Sequence, residues 1–238
     1  MATPVLPGAV MEWRRLDLEA ISQALAGMEA EHELTGDLPE EPLTEDAVRR
    51  MVAGYRYVDE LLAARTDIFC YGETRHILEL NHLVLCGTTP ERRAQYRKHI
   101  DETERRFYER SGIGDFMEWY KRNRTGSPQA LASGVFLRVL SAPQLFIEGN
   151  SRTASLLVSY VRVRAGLAPL VVTVDGFRRY VEMVERCTTL DRTGFASLFT
   201  GVALHRRLTE FLADACDGRF LVGRFDAQGP DSECSTGR

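Results

Sequence analysis

The stretch of sequence that decides the fold is QLFIEGNSRT, residues 144–153. It leads from a short polar turn into residues 154–163, whose apolar side chains point to nearly all sides of a helix. A helix that is apolar all round is typical of the buried centre of a bundle. We therefore expect an all-α fold, with residues 152–165 as its central buried helix and at most a very short β segment.

The start of this helix has the residues of an anion site. Its first backbone N–H groups have no partner within the helix, and the positive end of the helix dipole lies there. Gly149 lets the backbone approach a ligand, while Asn150, Ser151 and Arg152 offer donors for phosphate oxygens. Glu148 precedes them and is the candidate ligand for a Mg²⁺ ion that bridges phosphates. The plainer interpretation is a polar turn that only caps a buried helix.

The same segment resembles the signature of the Fic/Doc family, His-Pro-Phe-x-(Asp/Glu)-Gly-Asn-Gly-Arg. The matching residues are Phe146, Glu148, Gly149, Asn150 and Arg152. The flanking residues 127–130, 153–157 and 165–173 are also similar to the family, and the likeness covers residues 68–215. The resemblance implies a Fic-like helical bundle, Mg²⁺ with ATP or another nucleotide as ligand, and AMPylation-like transfer.

The chain departs from the signature at the position of its catalytic histidine, where it has Gln144. In the family this histidine takes a proton from the attacking hydroxyl, and a glutamine amide has no accessible basic pKa with which to do so. Leu145 replaces the signature proline, and Ser151 replaces its second glycine. We expect Gln144 either to orient a reacting group through its amide dipole or to serve only as a structural hydrogen-bonding residue.

The resemblance also implies where the base or substrate would lie. It places Phe146 and Tyr180 in that pocket, although Gly176 and Phe177 do not reproduce the family's Asn-Arg-x-x-Tyr segment around Tyr180. Family members carry a β-hairpin flap that docks the target segment, whereas residues 88–110 read here as one charged helix. Without a flap, a small acceptor is favoured over an extended protein segment.

The rest of the chain divides into three parts in this interpretation. Residues 1–44 are expected to hold an N-terminal helix (13–28) and an acidic linker, and residues 45–216 the Fic-like helical domain. Thr44 is a candidate cap for a helix over 45–62, and a further helix is expected over 68–86. Residues 217–238, rich in Gly, Asp and Ser, are expected to be a disordered tail.

Composition narrows the class of protein. The chain has 238 residues, 44% of them hydrophobic, and a formal net charge of −4, which predicts neither nucleic acid nor a membrane as partner. No apolar run is long enough to span a bilayer, and the N-terminus lacks the pattern of a signal peptide. Five widely spaced cysteines without a CxxC pair argue against a disulfide framework, so a cytoplasmic location is expected. A homodimer is left open.

Three functions remain. The leading hypothesis is a Fic-like transferase that binds a nucleotide or other diphosphate compound with Mg²⁺ and moves an NMP or phosphorylated group to a small anionic acceptor. Such an acceptor needs no base, which suits the missing histidine. The second is an inactive Fic-like protein that binds a nucleotide or phospho-ligand and acts in regulation. The third is chemistry unrelated to phosphoryl groups on the same scaffold.

Overall fold

The protein is described from a computed structural model, which covers residues 13–35, 44–109, 112–193 and 197–225. The described chain is mainly helical, and the predicted all-α class is confirmed. The elements are β1 Trp13–Leu16, α1 Leu18–Thr35, α2 Glu45–Ala63, α3 Arg75–Cys86, α4 Pro90–Gln95, α5 Arg97–Tyr108, α6 Ile113–Asn123, α7 Pro128–Leu140, α8 Asn150–Arg164, α9 Val174–Thr188, α10 Ser197–Ala215 and β2 Leu221–Phe225, with a 3-10 turn at Gly218–Phe220 before β2.

Helix α8 is the centre of the fold, as its apolar sequence predicts. Every residue from Thr153 to Val163 is buried. The helix packs against α7 on one side and against α2 and α3 on others. Within α8, only Ser151 and Arg152 in the first turn and Arg164 at the end are partly exposed, so the loop before Asn150 is one end at which this helix can meet a ligand.

Helix α2 forms where its cap and apolar stripe predict it. The Thr44 side chain accepts a hydrogen bond from the backbone N–H of Ala47, 3.2 Å away. Glu45 and Asp46 follow in the first turn, where carboxylates are favoured by the helix dipole. The apolar stripe of α2, which includes Tyr55 and Val58, is buried against the core.

The first and last described segments of the chain pair with each other as strands, which the sequence did not predict. Residues 13–16 form a strand rather than the first turn of a helix over 13–28, and β1 pairs antiparallel with β2. Residues 217–225 are therefore ordered, so the predicted tail over 217–238 is wrong for them, while 226–238 lie outside the described residues. Buried Phe220 supplies the physical reason, because it packs into the core before β2 begins.

The N-terminal part packs onto the predicted domain over residues 45–216. Helix α1 lies along α2 and buries Ile21, Leu25 and Met28. Arg15 on β1 pairs with the buried carboxylate of Asp59 on α2. The linker segment 36–43 lies outside the described residues.

Two helix boundaries differ from expectation. The predicted helix over 68–86 begins only at Arg75, because residues 65–74 form turns that bury Ile68 and Phe69. The predicted helix over 88–110 is two helices, α4 and α5, that meet at Tyr96. Helix α4 buries no residue, whereas α5 buries Phe107, and the bend lets α5 reach the core. The described part of this region is helical, as its charged sequence predicts.

The cysteines do not all follow the expectation. Cys86, Cys187 and Cys216 are free. Cys70, however, is disulfide-bonded, although the cysteine spacing argues against a disulfide framework. Among the described helices, none combines the length and the apolar character needed to cross a bilayer.

Candidate functional site

Gly149 sets the shape of the loop that precedes α8. Its φ of 72° and ψ of 12° lie in the left-handed region, and it is the N-cap of the helix. A Cβ at this position would lie 3.0 Å from Nδ2 of Asn81 and 3.2 Å from Cδ2 of Leu85. Both the backbone conformation and the close approach of α3 therefore require glycine.

Asn150 closes the loop with its side-chain amide. Its Oδ1 accepts a hydrogen bond from the backbone N–H of Phe146 at 3.0 Å, and its Nδ2 donates to the carbonyl of Phe146 at 3.0 Å. Nδ2 also lies 3.2 Å from Oε1 of Gln144, to which it donates. The buried amide is thus engaged within the loop, and its clear contribution is to hold the loop in shape.

Gln144 is held at both its main chain and its side chain. Its carbonyl accepts a hydrogen bond from Nη2 of Arg106 at 3.0 Å, and its Oε1 accepts from Asn150. Within the part of the chain that the structure describes, its Nε2 makes no hydrogen bond. This half-buried amide nitrogen can therefore donate to a ligand, which is a different chemistry from that of a base.

Glu148 presents an exposed carboxylate beside the start of α8. Its backbone carbonyl accepts a hydrogen bond from Nδ2 of Asn81 at 2.9 Å, which fixes the main chain. The carboxylate forms no ion pair with any described residue. Mg²⁺ in phosphate sites is commonly held by one or two carboxylates together with the phosphates and waters. A single free carboxylate fits that donor set, whereas no cluster of three metal-ligating side chains occurs among the described residues.

The first turn of α8 leaves backbone donors at the same place. The first intrahelical hydrogen bond runs from the N–H of Thr153 to the carbonyl of Gly149, at 2.9 Å. The N–H groups of Asn150, Ser151 and Arg152 precede that bond, so the helix supplies them with no acceptor. They carry the positive end of the helix dipole and are suited to an anion.

Arg152 lies between this turn and the end of α3. Its Nη1 donates to the carbonyl of Val84 at 3.2 Å, and Nε of Arg50 donates to the same carbonyl at 3.1 Å. Burial lowers the pKa of Arg50; Asp46 opposes that shift, and Arg92 and Arg152 add to it. Several guanidinium groups therefore stand close together beside the helix N-terminus.

Ser151 and Tyr180 join α9 to the first turn of α8. The Tyr180 hydroxyl donates to the carbonyl of Ser151 at 2.9 Å and lies 3.0 Å from Oγ of Ser155. Burial raises the pKa of Tyr180 to about 12, so the hydroxyl stays protonated at neutral pH. Tyr180 also lines a cavity of about 300 Å³ between α9 and the end of α10.

Phe146 lies beneath the loop. Its side chain is 1% exposed, and its ring stacks on that of Phe107 with centroids 5.6 Å apart and planes 7° apart. In this position it supports the loop from the core side and joins it to α5. The structure thus brings the residues 144–152 together, with Gln144, Glu148 and the α8 turn toward the surface and Phe146 inward.

Sequence reasoning missed the residues that other helices contribute. Asn81 is fully buried and donates through Nδ2 to the Glu148 carbonyl and to Oγ1 of Thr153 at 3.1 Å. Arg106 reaches the loop from α5 through the Gln144 carbonyl, and Arg50 on α2 shares the Val84 carbonyl with Arg152. The sequence gives a weak indication of a role for Asn81, because an amide within an apolar helix needs buried hydrogen-bond partners. The two arginines lie in charged helices, and nothing in their spacing marks them out.

Comparisons with known proteins give one point of reference. No protein-family model matches the chain, and no curated protein matches it either. Among solved structures, the chain is similar to a Fic domain-containing signalling protein from Bacteroides thetaiotaomicron, with 17% sequence identity and a TM-score of 0.48. The match covers 84% of this chain and 83% of that chain.

Proposed function

We propose that the loop at residues 144–152 binds the diphosphate group of a nucleotide or a related compound together with Mg²⁺, and that the protein is a Fic-like transferase. The observation that carries the proposal is the juxtaposition, at one helix end, of three backbone donors, an unpaired carboxylate and a guanidinium group. Gly149 makes the juxtaposition possible, because only its left-handed conformation turns the chain from Glu148 into α8.

The residues have separate roles in this proposal. The N–H groups of the α8 turn and the Arg152 guanidinium bind phosphate oxygens, and the Ser151 hydroxyl adds a donor beside them. Asn150 keeps the loop in the shape that the phosphates need. The Glu148 carboxylate is the candidate protein ligand of Mg²⁺, and bound Mg²⁺ would neutralise phosphate charge. Gln144 offers its Nε2 as a further donor to the group that is transferred.

The residue at position 144 determines which class of acceptor the proposed transfer would use. A hydroxyl acceptor gains about 10²–10⁴-fold in rate from a positioned base, and a glutamine provides none. An acceptor that is already anionic, such as a phosphate or a carboxylate, attacks without losing a proton. The proposal is therefore transfer of an NMP or another phosphorylated group to a small anionic acceptor.

A second function is favoured by one observation about the same loop. The Asn150 amide and Oε1 of Gln144 are engaged with each other, and no side chain with a basic pKa stands at position 144. A loop built in this way can bind a phospho-ligand without turning it over. The alternative is thus a Fic-like regulatory protein that senses a nucleotide.

Thermal shift tests the binding that both functions share. ATP, CTP and a sugar nucleotide are added with and without Mg²⁺, and at least one is expected to raise the melting temperature of the wild type. Arg152→Ala is expected to lose the shift, and Glu148→Gln to lose its dependence on Mg²⁺. Arg97→Ala is the matched control, because Arg97 is an exposed residue of α5 that pairs only with Asp101.

Release of pyrophosphate or monophosphate separates the two functions. The transferase predicts release in the presence of a phosphate- or carboxylate-bearing acceptor, and loss of that release in Arg152→Ala. Binding without release for every acceptor class tried would favour the regulatory protein. If no nucleotide or other diphosphate compound shifts the wild-type protein, both functions fail.

A further inference from the structure

A second cavity lies beside α7. It has a volume of about 440 Å³ and lies between α6, α7 and α10. Its lining includes Trp119, Arg138, Arg192, Gly201, Val202 and His205. None of its lining residues belongs to the 144–152 loop. Small-molecule sites typically have cavities of about 300–1,000 Å³, so this one, which we name the Trp119 cavity, is large enough for a ligand.

Trp119 provides the cavity with a flat aromatic wall. Its ring lies directly on the backbone of α7, because a Cβ on Gly134 would come within 2.2 Å of the ring carbon Cζ2. Because Gly134 has no side chain, it leaves the space that the Trp119 ring occupies. The ring is only partly buried, so one part of its surface is left to the cavity. Such a surface suits a planar group.

Arg138 places a positive charge over this wall. Its guanidinium carbon lies 5.6 Å from the centroid of the Trp119 ring. Among the described residues it has neither a hydrogen-bond acceptor nor a carboxylate within ion-pair distance. Burial lowers the pKa of Arg138, and the more distant Asp115 only opposes that shift. A half-buried cation without a paired anion is unfavourable unless a ligand supplies one.

Arg192 adds a second cation at the same cavity. Its Nη1 donates to the carbonyl of Arg138 at 2.7 Å, and its Nη2 donates to the carbonyl of Pro143 at 2.5 Å. Burial, and after it the charge of Arg138, lowers the pKa of Arg192 to about 10. Two guanidinium groups thus line the same cavity, and Arg138 is the one that lies over the Trp119 ring.

We propose that the Trp119 cavity binds a small organic anion with a planar ring, the ring lying against Trp119 and the anionic group pairing with Arg138. The ligand would supply the charge that the described residues do not provide, and its ring would cover the apolar part of the lining. A carboxylate fits the guanidinium fork well, because both groups are planar and can form two parallel hydrogen bonds. This site is separate from the diphosphate site and does not depend on it.

Isothermal titration calorimetry with 1-naphthoate tests the proposal. This probe combines a planar ring with a carboxylate, and we expect it to bind the wild-type protein. 1-Naphthalenemethanol has the same ring without the charge, and acetate has the charge without the ring. Both are expected to bind at least about tenfold more weakly than 1-naphthoate, because each loses one of the two interactions.

Two variants locate the binding. Arg138→Gln removes the charge and is expected to weaken 1-naphthoate at least about tenfold, the usual effect of losing a hydrogen bond to a charged group. Gly201→Leu introduces an apolar side chain at the cavity wall without removing a charge, and its Cβ would have Leu190 Cδ2, at 3.9 Å, as its nearest described neighbour. It is expected to abolish binding, and it keeps the test decisive if Arg138→Gln fails to fold. Arg206→Gln, an exposed residue on α10, is the control and should bind like the wild type.

Each outcome of the titration with 1-naphthoate either supports or overturns the proposal. Binding of 1-naphthoate that is lost in Gly201→Leu and weakened in Arg138→Gln supports the site. The proposal is overturned if the wild type does not bind 1-naphthoate. It is also overturned if Gly201→Leu binds 1-naphthoate as tightly as the wild type does.

Discussion

The side-chain nitrogen Nδ2 of Asn150 lies 3.2 Å from Oε1 of Gln144 and donates a hydrogen bond to it. Gln144 stands where the Fic signature has its histidine, so the residue at this position is oriented by the loop itself. Because Oε1 accepts from Asn150, the other end of the amide, Nε2, is the end left for a ligand.

The first prediction concerns the role of Asn150. Asn150→Asp keeps an acceptor for the N–H of Phe146 but loses both hydrogen bonds that Nδ2 donates. We expect the free energy of unfolding to fall by about 2 kcal/mol, because buried acceptors lose their partner. Urea denaturation measures the change. Asn123→Asp, the same replacement at an exposed site, should cost less than about 1 kcal/mol; equal losses at both sites would contradict the role of Asn150.

The second prediction concerns Gly149. Gly149→Ala places a Cβ in the left-handed region and against Nδ2 of Asn81, so we expect a loss of about 1–3 kcal/mol in the free energy of unfolding. Gly27→Ala is the matched control, because a Cβ there meets nothing within 4 Å. In helix α1 that change should be neutral or stabilise by up to about 1 kcal/mol. If both variants melt alike, the conformation assigned to Gly149 is wrong.

The third prediction concerns the attachment of the N-terminal strand. The carboxylate of Asp59 is 2% exposed and accepts hydrogen bonds from Nε of Arg15 at 2.6 Å and from the N–H of Leu16 at 3.0 Å. Asp59→Ala is expected to lower the free energy of unfolding by about 3 kcal/mol, because it leaves these donors without a partner. Glu60→Ala, its exposed neighbour on α2, should have an effect below about 0.5 kcal/mol. Chemical denaturation of the two variants side by side provides the comparison.

Local patterns in the sequence predict the core of this fold well. The apolar residues that surround α8 indicate a buried central helix, and the structure buries every residue from Thr153 to Val163. Thr44 caps α2 as its position predicts. These features depend on neighbours within one helix, so the sequence pattern carries them directly.

The errors occur where a distant part of the chain decides the outcome. Strand β1 forms because β2, more than 200 residues later, pairs with it: Leu16 lies opposite Leu221. The helix predicted over 88–110 bends at Tyr96 so that Phe107 can reach Phe146. Neither partner can be identified from the local sequence, because propensity and periodicity describe only nearby residues.

For the candidate site, too, the residues within one segment could be predicted from the sequence, whereas those from other helices could not. Residues 144–153 could be singled out as one candidate segment from their sequence. The roles of Asn81 and Arg50 could not, because they come from α3 and α2 and meet the loop only after folding. The inward position of Phe146 likewise follows from its stacking on Phe107 of α5.

The fourth prediction concerns the acceptor. Gln144→His introduces a base whose unperturbed pKa is about 6.5. If position 144 faces the acceptor, transfer to a hydroxyl compound should rise by about 10²-fold or more relative to Gln144→Ala, with a rate that increases as pH rises through the histidine pKa. Initial rates of pyrophosphate release at several pH values measure this. Equal rates for the histidine and alanine variants would show that position 144 does not face the acceptor.

The most direct measurement of the central claim is ³¹P NMR of a nucleotide titrated with the protein. We predict that, in the presence of Mg²⁺, the diphosphate resonances of the ligand shift or broaden with the wild type and with Arg97→Ala. The same resonances should stay at their free positions with Arg152→Ala. If ATP, CTP and a sugar nucleotide all keep their free ³¹P spectrum with the wild-type protein, the turn between Glu148 and Arg152 is only a cap for α8, and the account is contradicted.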